Sequence, residues 1–260
     1  MSARISTSTL EYGDHAGGDR GADVPWSERL TTLVVDVDGV LVDSRPQMIV
    51  ALEESYRQHC GPGVPPSQQF FELMGMPLDD ILRELGLPAA MADAYRAVSR
   101  RSVHLVRVFS GIEELLEAAQ ALGLRLGLLT GKDRARTIEL LDRFDLSRFF
   151  EALVCGDDPF PGKPDPQGLS HLVAELGGCP AGAAFVGDSR LDMQCAVSAR
   201  VLALGAEWGF SSANELRIAG APLTFKGPWD LSAWLRQTAA ATAGDAPWLV
   251  PAGSAATIER

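Results

Sequence analysis

No apolar run in this 260-residue chain approaches the roughly 20 residues that a membrane-spanning helix needs. The amino terminus also lacks the basic start and apolar centre of a secretory signal. Cysteine is sparse: Cys60, Cys155, Cys179 and Cys195 stand far apart with no Cys-x-x-Cys pair, the pattern of reduced thiols in a cytoplasmic protein, and all four read as small buried hydrophobes. The four histidines (His15, His59, His104 and His171) have no metal-ligand spacing. Positive charge is in deficit, with 23 Lys and Arg against 34 Asp and Glu and a net charge of −11. Such a surface repels polyanions, so neither nucleic acid nor an anionic membrane is an expected partner. There is no internal repeat and no long run of like charge. Oligomeric state is left open.

What is present is enough chain for one domain with an insertion, and one stretch that combines a strand with acid groups. Leu33-Val34-Val35 reads as a strand buried on both faces, and it runs straight into Asp36-Val37-Asp38-Gly39. In an open α/β sheet the carboxyl ends of the strands are where ligands bind. A carboxylate leading off such a strand is placed to attack phosphorus and form an aspartyl-phosphate, with Mg²⁺ neutralising charge. Asp36 fits that role. Asp38, two residues on and on the same side of the extended chain, fits a general acid that protonates the leaving oxygen and then a base that activates water. Gly39 allows a tight backbone path towards a phosphate. By itself Asp-x-Asp-Gly is equally at home in a calcium loop or a plain turn.

The rest of the chain supplies a context. Residues 1–27 and 239–260 read as disordered or flexible tails, although Trp248-Leu249-Val250 has the composition of a docking segment. Between 45 and 109 the apolar spacing is helical throughout: Ser44 is a candidate cap for a helix stopped by Gly61, Ser67 opens a second, and Leu78, Ile81, Leu82 and Leu85 mark a third ending at Gly86. Met91, Tyr95, Val98 and Leu105 mark a fourth. From Gly111 helix and strand alternate, with helices at 111–122, 133–144, 166–176 and 190–199. The strands fall at Leu126–Leu129, Ala152–Cys155, Ala183–Val186 and Val201–Leu204. A capping box at Ser212 and Glu215, an edge strand at Leu223–Phe225 and a last helix at Trp229–Leu235 complete the reading. Alternation of this kind predicts a doubly wound parallel sheet, a Rossmann-like α/β core over 28–44 and 110–238, with residues 45–109 inserted as an α-helical cap over the strand ends.

Each later strand also stops at polar residues. Leu129 is followed by Thr130-Gly131-Lys132, where the hydroxyl serves a phosphoryl oxygen or only caps a helix. Val186 is followed by Gly187-Asp188-Ser189-Arg190-Leu191-Asp192. There Asp188 is a candidate metal ligand and Asp192 a support for it, with simple capping as the alternative. Between these lies Gly162-Lys163-Pro164-Asp165-Pro166, whose lysine is suited to neutralising Asp36 and a phosphate together, or is a surface turn.

In that order, Asp36-Val37-Asp38-Gly39-Val40, Thr130, Lys163-Pro164 and Asp188 to Asp192 resemble the haloacid dehalogenase-like hydrolase superfamily over residues 30–238. Asp43-Ser44-Arg45-Pro46 is similar to its phosphoglycolate phosphatase-type branch, from which Val40 departs where threonine is common. The resemblance implies a phosphatase acting on a small phosphorylated metabolite (a sugar, amino-sugar or sugar-acid phosphate), with Asp36 as nucleophile and Mg²⁺ ligand. Asp38 is then the acid/base and a metal ligand through its carbonyl, Thr130 and Lys163 hold the phosphoryl group, Asp188 is the third protein ligand, and Asp192 lies behind it. A dehalogenase has no need of Asp38, and a phosphonate-cleaving relative uses a cap lysine that residues 45–109 lack. The alternative activity is a phosphomutase of the β-phosphoglucomutase type, but those enzymes carry a histidine where Met48 stands. A binding module with a decayed site is disfavoured because no catalytic position is substituted. Substrate contacts are expected from Gly75-Met76-Pro77, and from some of Arg83, Arg96, Arg100, Arg101 and His104, most of them solvated.

Overall fold

The computed structural model describes residues 30–242. Six parallel strands form one sheet: β1 (Thr32–Val35), β4 (Arg125–Leu129), β5 (Ala152–Val154), β6 (Ala183–Gly187), β7 (Leu202–Ala206) and β8 (Leu223–Phe225), in the order β5-β4-β1-β6-β7-β8. β1 lies centrally, paired with β4 through Leu33↔Leu126 and with β6 through Leu33↔Ala184. Its residues are all buried because the sheet is covered on both faces, which is why the strands read as continuous apolar runs. Alternate side chains feed opposite layers. Leu33 and Val35 pack with α5 (Ile112–Ala121), α6 (Arg134–Arg143) and α10 (Pro228–Thr242). Val34 and Phe185 pack with α7 (Gln167–Glu175), α8 (Arg190–Ser198) and α9 (Ala213–Ile218). The result is the doubly wound α/β sandwich that the alternation predicts.

The remaining helices, α1 (Arg45–Cys60), α2 (Ser67–Glu72), α3 (Leu78–Glu84) and α4 (Met91–Arg101), build a cluster of their own around Leu52, Phe70, Ile81, Leu82, Met91 and Tyr95. Both connections to the core pass through an antiparallel ribbon, β2 (Val42–Asp43) with β3 (Arg107–Val108), which no sequence pattern announced. Two residues per strand are too few to show a period.

Local chemistry adjusts several expected boundaries. Ser44 stands before α1, but its hydroxyl turns to Met48 Sδ at 3.8 Å, and Asp43 Oδ1 accepts the Arg45 N–H at 3.1 Å instead. Leu105 belongs to a 3₁₀ turn (Val103–Leu105) beyond α4. Ser212 and Glu215 do form the reciprocal capping box. The last helix runs to Thr242, seven residues beyond Leu235, whereas the expected tail over 1–27 and the Trp248 segment lie outside the described residues. No helix among the described residues is long and apolar enough to cross a membrane.

Candidate active site

The carboxyl ends of β1, β4 and β6 converge below the cap. The β1–β6 ladder continues one residue past the strand, Asp36 N donating to Val186 O at 3.0 Å, so the direction in which the Asp36 carboxylate leaves the sheet is set by the sheet itself. Asp36 Oδ1 accepts the Val37 N–H at 2.7 Å and Oδ2 accepts from Lys163 Nζ at 2.8 Å. The turn that follows closes with Gly39 N donating to Val42 O at 2.8 Å. Gly39 has φ of +84°, and a β-carbon there would fall on the Asp188 carboxylate, so glycine is required on both counts.

Lys163 is 3% exposed, and its ammonium also meets Asp192 Oδ1 at 2.6 Å. The other Asp192 oxygen accepts the N–H groups of Asp188 (3.2 Å) and Ser189 (2.9 Å) and the Ser189 hydroxyl (2.6 Å). Asp192 thus both caps α8 and pairs with the lysine. Asp188 Oδ2 accepts the Phe210 N–H at 2.7 Å. Thr130 is held by its N–H to Val154 O at 3.0 Å and faces the cavity; it is not the cap of α6, which is Asp133.

Carboxylate oxygens of Asp36, Asp188 and Asp192 lie within 4.8 Å of one another, all buried. Burial pushes the Asp36 carboxyl up to about 7, Lys163 pulling the other way and Asp192 and Asp38 adding to the rise. Asp188 is likewise raised well above the ordinary range, first by burial and then by Asp192 and Asp36. Burial works against the Lys163 cation, but Asp192 and Asp36 outweigh it and its pKa is raised. Three carboxylates facing one ammonium leave two negative charges without a partner, in an oxygen-only donor set; that deficit and that chemistry fit a hard divalent cation.

Asp36, Asp38, Thr130 and Asp188 share one cavity of about 30 Å³ with cap residues that include Met48, Phe70 and Tyr95. With the cap in this position that is room for one or two waters. The cap loop rests directly on the core: a β-carbon on Gly75 would touch Lys163 Cε at 3.4 Å, and one on Gly131 would collide with the Met76 carbonyl. Gly131→Ala should therefore hold the cap off its seat. Steady-state kinetics should show kcat/KM lowered by about 10–100-fold, the usual cost of a small misplacement, while the melting temperature shifts by less than the ~2–4 °C that accompanies 1 kcal/mol. Unchanged kinetics would mean that the closed contact has no part in turnover.

Several expected substrate contacts are placed elsewhere. Arg83 pairs with Asp80, Arg101 with Glu54, Arg100 with Glu139 and Arg96 with Asp79, and none of these arginines lines the cavity. His104 is exposed against the Arg101 carbonyl. In their place are cavity residues that sequence reasoning left without a role. Lys132 Nζ meets Asp38 Oδ2 at 3.1 Å, Arg136 is buried on α6, and Tyr95 carries a hydroxyl into what reads as a purely apolar face. The signal for Arg136 was a charge one turn before Leu140, on the buried side of its helix.

The sequence itself matches the model of the family described as haloacid dehalogenase-like hydrolase over residues 33–206. It is 34% identical over 201 residues to a phosphoglycolate phosphatase of Pseudomonas syringae pv. syringae, covering 71% of this chain and 72% of the relative. A hydrolase from Pseudomonas syringae of known structure superposes with a TM-score of 0.72 at 24% identity, over 80% of this chain and 98% of that one. A putative β-phosphoglucomutase from Thermotoga maritima gives 0.64 at 22% identity, over 80% and 99%. The likeness to these two structures is one of fold alone. With its sheet, its inserted cap and its sequence relatives in agreement, the chain belongs to the haloacid dehalogenase-like hydrolases, in their phosphoglycolate phosphatase-type branch, and is a phosphatase.

Proposed function

We propose that the protein is a Mg²⁺-dependent phosphatase that hydrolyses a small phosphorylated metabolite, a sugar, amino-sugar or sugar-acid phosphate, through an aspartyl-phosphate on Asp36. The observation that carries this reading is the convergence of Asp36, Asp38, Thr130 and Asp188 in one cavity, with the buried Lys163 bonded to Asp36 at 2.8 Å. Asp36 attacks phosphorus, and its bond to phosphorus forms as the ester bond breaks. Asp38 gives its proton to the departing oxygen. Water then attacks phosphorus while the Asp38 carboxylate takes its proton, and cleavage of the phosphorus–Asp36 bond releases inorganic phosphate and restores the carboxylate. Lys163 and Thr130 hold the phosphoryl oxygens. Lys132 keeps the Asp38 side chain in place from the other side. Asp36, Asp188 and the Asp38 carbonyl would hold Mg²⁺, which when bound neutralises charge on the phosphoryl group. Asp192 supports the lysine and the Asp188 turn.

Hydrolysis rather than mutation follows from the cap side of the cavity. Met48 is 4% exposed there and has no proton to give, and burial raises the Tyr95 phenol further still above its ordinary value. Nothing in the cap competes with water for the phosphoenzyme. Cys155 and Cys195 are buried as expected, whereas Cys60 and Cys179 are exposed, and reduced thiols accord with a cytoplasmic setting.

The reading is tested by following small sugar phosphates by phosphorus NMR with Mg²⁺ and with excess chelator. Phosphate release should be stoichiometric with Mg²⁺ and absent in chelator. In the protein alone, Mg²⁺ at about 100 times its Kd should add ~2.7 kcal/mol of stability, visible as a higher melting temperature. Isomerisation faster than phosphate release would make the enzyme a mutase; full turnover in chelator would remove the metal from the reading.

A further inference from the structure

Arg45 is the first residue of cap helix α1, in a turn with no acidic side chain, so its positive charge stands at the helix end where the backbone dipole disfavours it. Among the described residues it enters no ion pair; its guanidinium carbon lies instead 5.0 Å from the centre of the Phe71 ring, on cap helix α2, and 4.5 Å from that of Phe210, in the core loop after β7. The two rings are 5.8 Å apart and tilted by 47°. A cation over two ring faces is attracted to both. Phe210 also belongs to the frame of the acid site. Its N–H donates to Asp188 Oδ2 at 2.7 Å and the Ser211 N–H to the Asp188 carbonyl at 3.2 Å, while Trp208 Nε1 donates to the Val40 carbonyl at 3.0 Å. Between them, a β-carbon on Gly209 would collide with the Asp188 side chain and the Gly39 carbonyl. Packing this close leaves the loop little room to shift without Asp188.

We propose that Arg45, Phe71 and Phe210 form a latch that holds the cap on the core and couples its position to Asp188. Lifting the cap takes Phe71 away from Phe210 and parts the guanidinium from at least one ring. Any shift of Phe210 then pulls on the N–H that Asp188 accepts. Arg45 suits this joint because it stands at the hinge: its own N–H is held by Asp43 Oδ1, in the ribbon strand β2 that leads from core to cap. A planar cation can face two rings at once, which a lysine ammonium on a flexible stem does less well. The three are positioning residues, since none of them lines the cavity that holds Asp36, Asp38 and Asp188. Neither substrate nor metal enters the latch, so it stands or falls apart from the activity proposed above.

Hydrogen exchange read by mass spectrometry on the full chain, without metal or substrate, reports the opening even where the open form is rare. Arg45→Ala should speed exchange about 5–30-fold, the worth of two cation–π contacts at a partly exposed site, in cap residues 70–77 and in core residues 207–211. Strands β1 and β4 should exchange as in wild type. Arg45→Lys should keep part of the protection and Phe210→Tyr nearly all of it, whereas Phe210→Leu, which retains the backbone N–H, should lose about as much as Arg45→Ala. The two changes combined should fall short of the product of their single effects, because both remove the same contact. Unchanged exchange in 70–77 overturns the latch, and so does a rise that extends to β1 and β4 or a double variant in which the single effects multiply in full. Faster exchange in 70–77 with 207–211 unchanged overturns the coupling to Asp188. Should Arg45→Ala not fold, Phe210→Leu against Phe210→Tyr decides by the same segments.

Discussion

Asp36→Asn should abolish the phosphoenzyme, reduce turnover on the order of 10⁴–10⁶-fold, and still leave a protein whose metal-free melting temperature climbs relative to that of wild type as the pH rises to 8. The loss of activity follows from removing the attacking oxygen. The climb follows from burial. In the folded, metal-free protein the Asp36 carboxyl titrates at about 7, above its ordinary 3.8. An acid whose folded pKa is raised binds its proton more tightly in the native state, so stability declines as pH rises from 3.8 and the full penalty is present above pH 7. Asparagine is neutral at every pH and escapes it. The lost bond to Lys163 costs the variant something at all pH values, and Lys163 keeps Asp192 at 2.6 Å. The sign therefore lies in the slope: in chelator, the melting temperature of the variant relative to wild type should climb between pH 5 and pH 8, by about 2–4 °C for each kcal/mol recovered. Parallel curves would refute the burial argument. Asp38→Asn makes the contrast, since its side chain pairs with Lys132 outside the three-carboxylate cluster. It should keep a slow phosphoenzyme and lose ~10²–10⁴-fold in rate, and mass spectrometry should find the phosphate on residue 36 alone.

Lys163→Met should be the most destabilising change in the site. Lys163 is the cation that meets both Asp36 and Asp192, and it is almost wholly buried. Its removal leaves carboxylates without an opposite charge, a cost of about 3–5 kcal/mol, or a fall on the order of 10 °C in the metal-free melting temperature. Asp36, already raised by burial, responds by titrating higher still, so the deficit should be greatest above pH 7 and shrink as the pH falls towards 5. Mg²⁺ should narrow it at neutral pH by supplying charge to the same oxygens, without restoring turnover, because the phosphoryl group has lost its own ammonium partner. Turnover within about tenfold of wild type would show that the lysine is structural alone.

The chain itself determined the sheet and the acid groups at its edge. Apolar runs such as Leu33–Val35 and Ala183–Val186, each ended by a carboxylate, and helices with a steady apolar face specify local burial, and parallel pairing then gathers their ends in one place. The cap was legible as helices without strands for the same reason. What only the tertiary structure decided is how cap and core meet. They hold separate apolar clusters joined by a ribbon of two-residue strands, so their relative placement depends on contacts between residues far apart in sequence. Arg136 meets Ser99 and Tyr95, Gly131 lies under Met76, and Arg45 sits 5.0 Å from the Phe71 ring and 4.5 Å from that of Phe210. No periodicity records such contacts, because a helix pattern states which face is buried and not what it is buried against. The cap arginines, alike in sequence, were sorted the same way: close surface carboxylates took them, and the one buried guanidinium in the cavity came from the core.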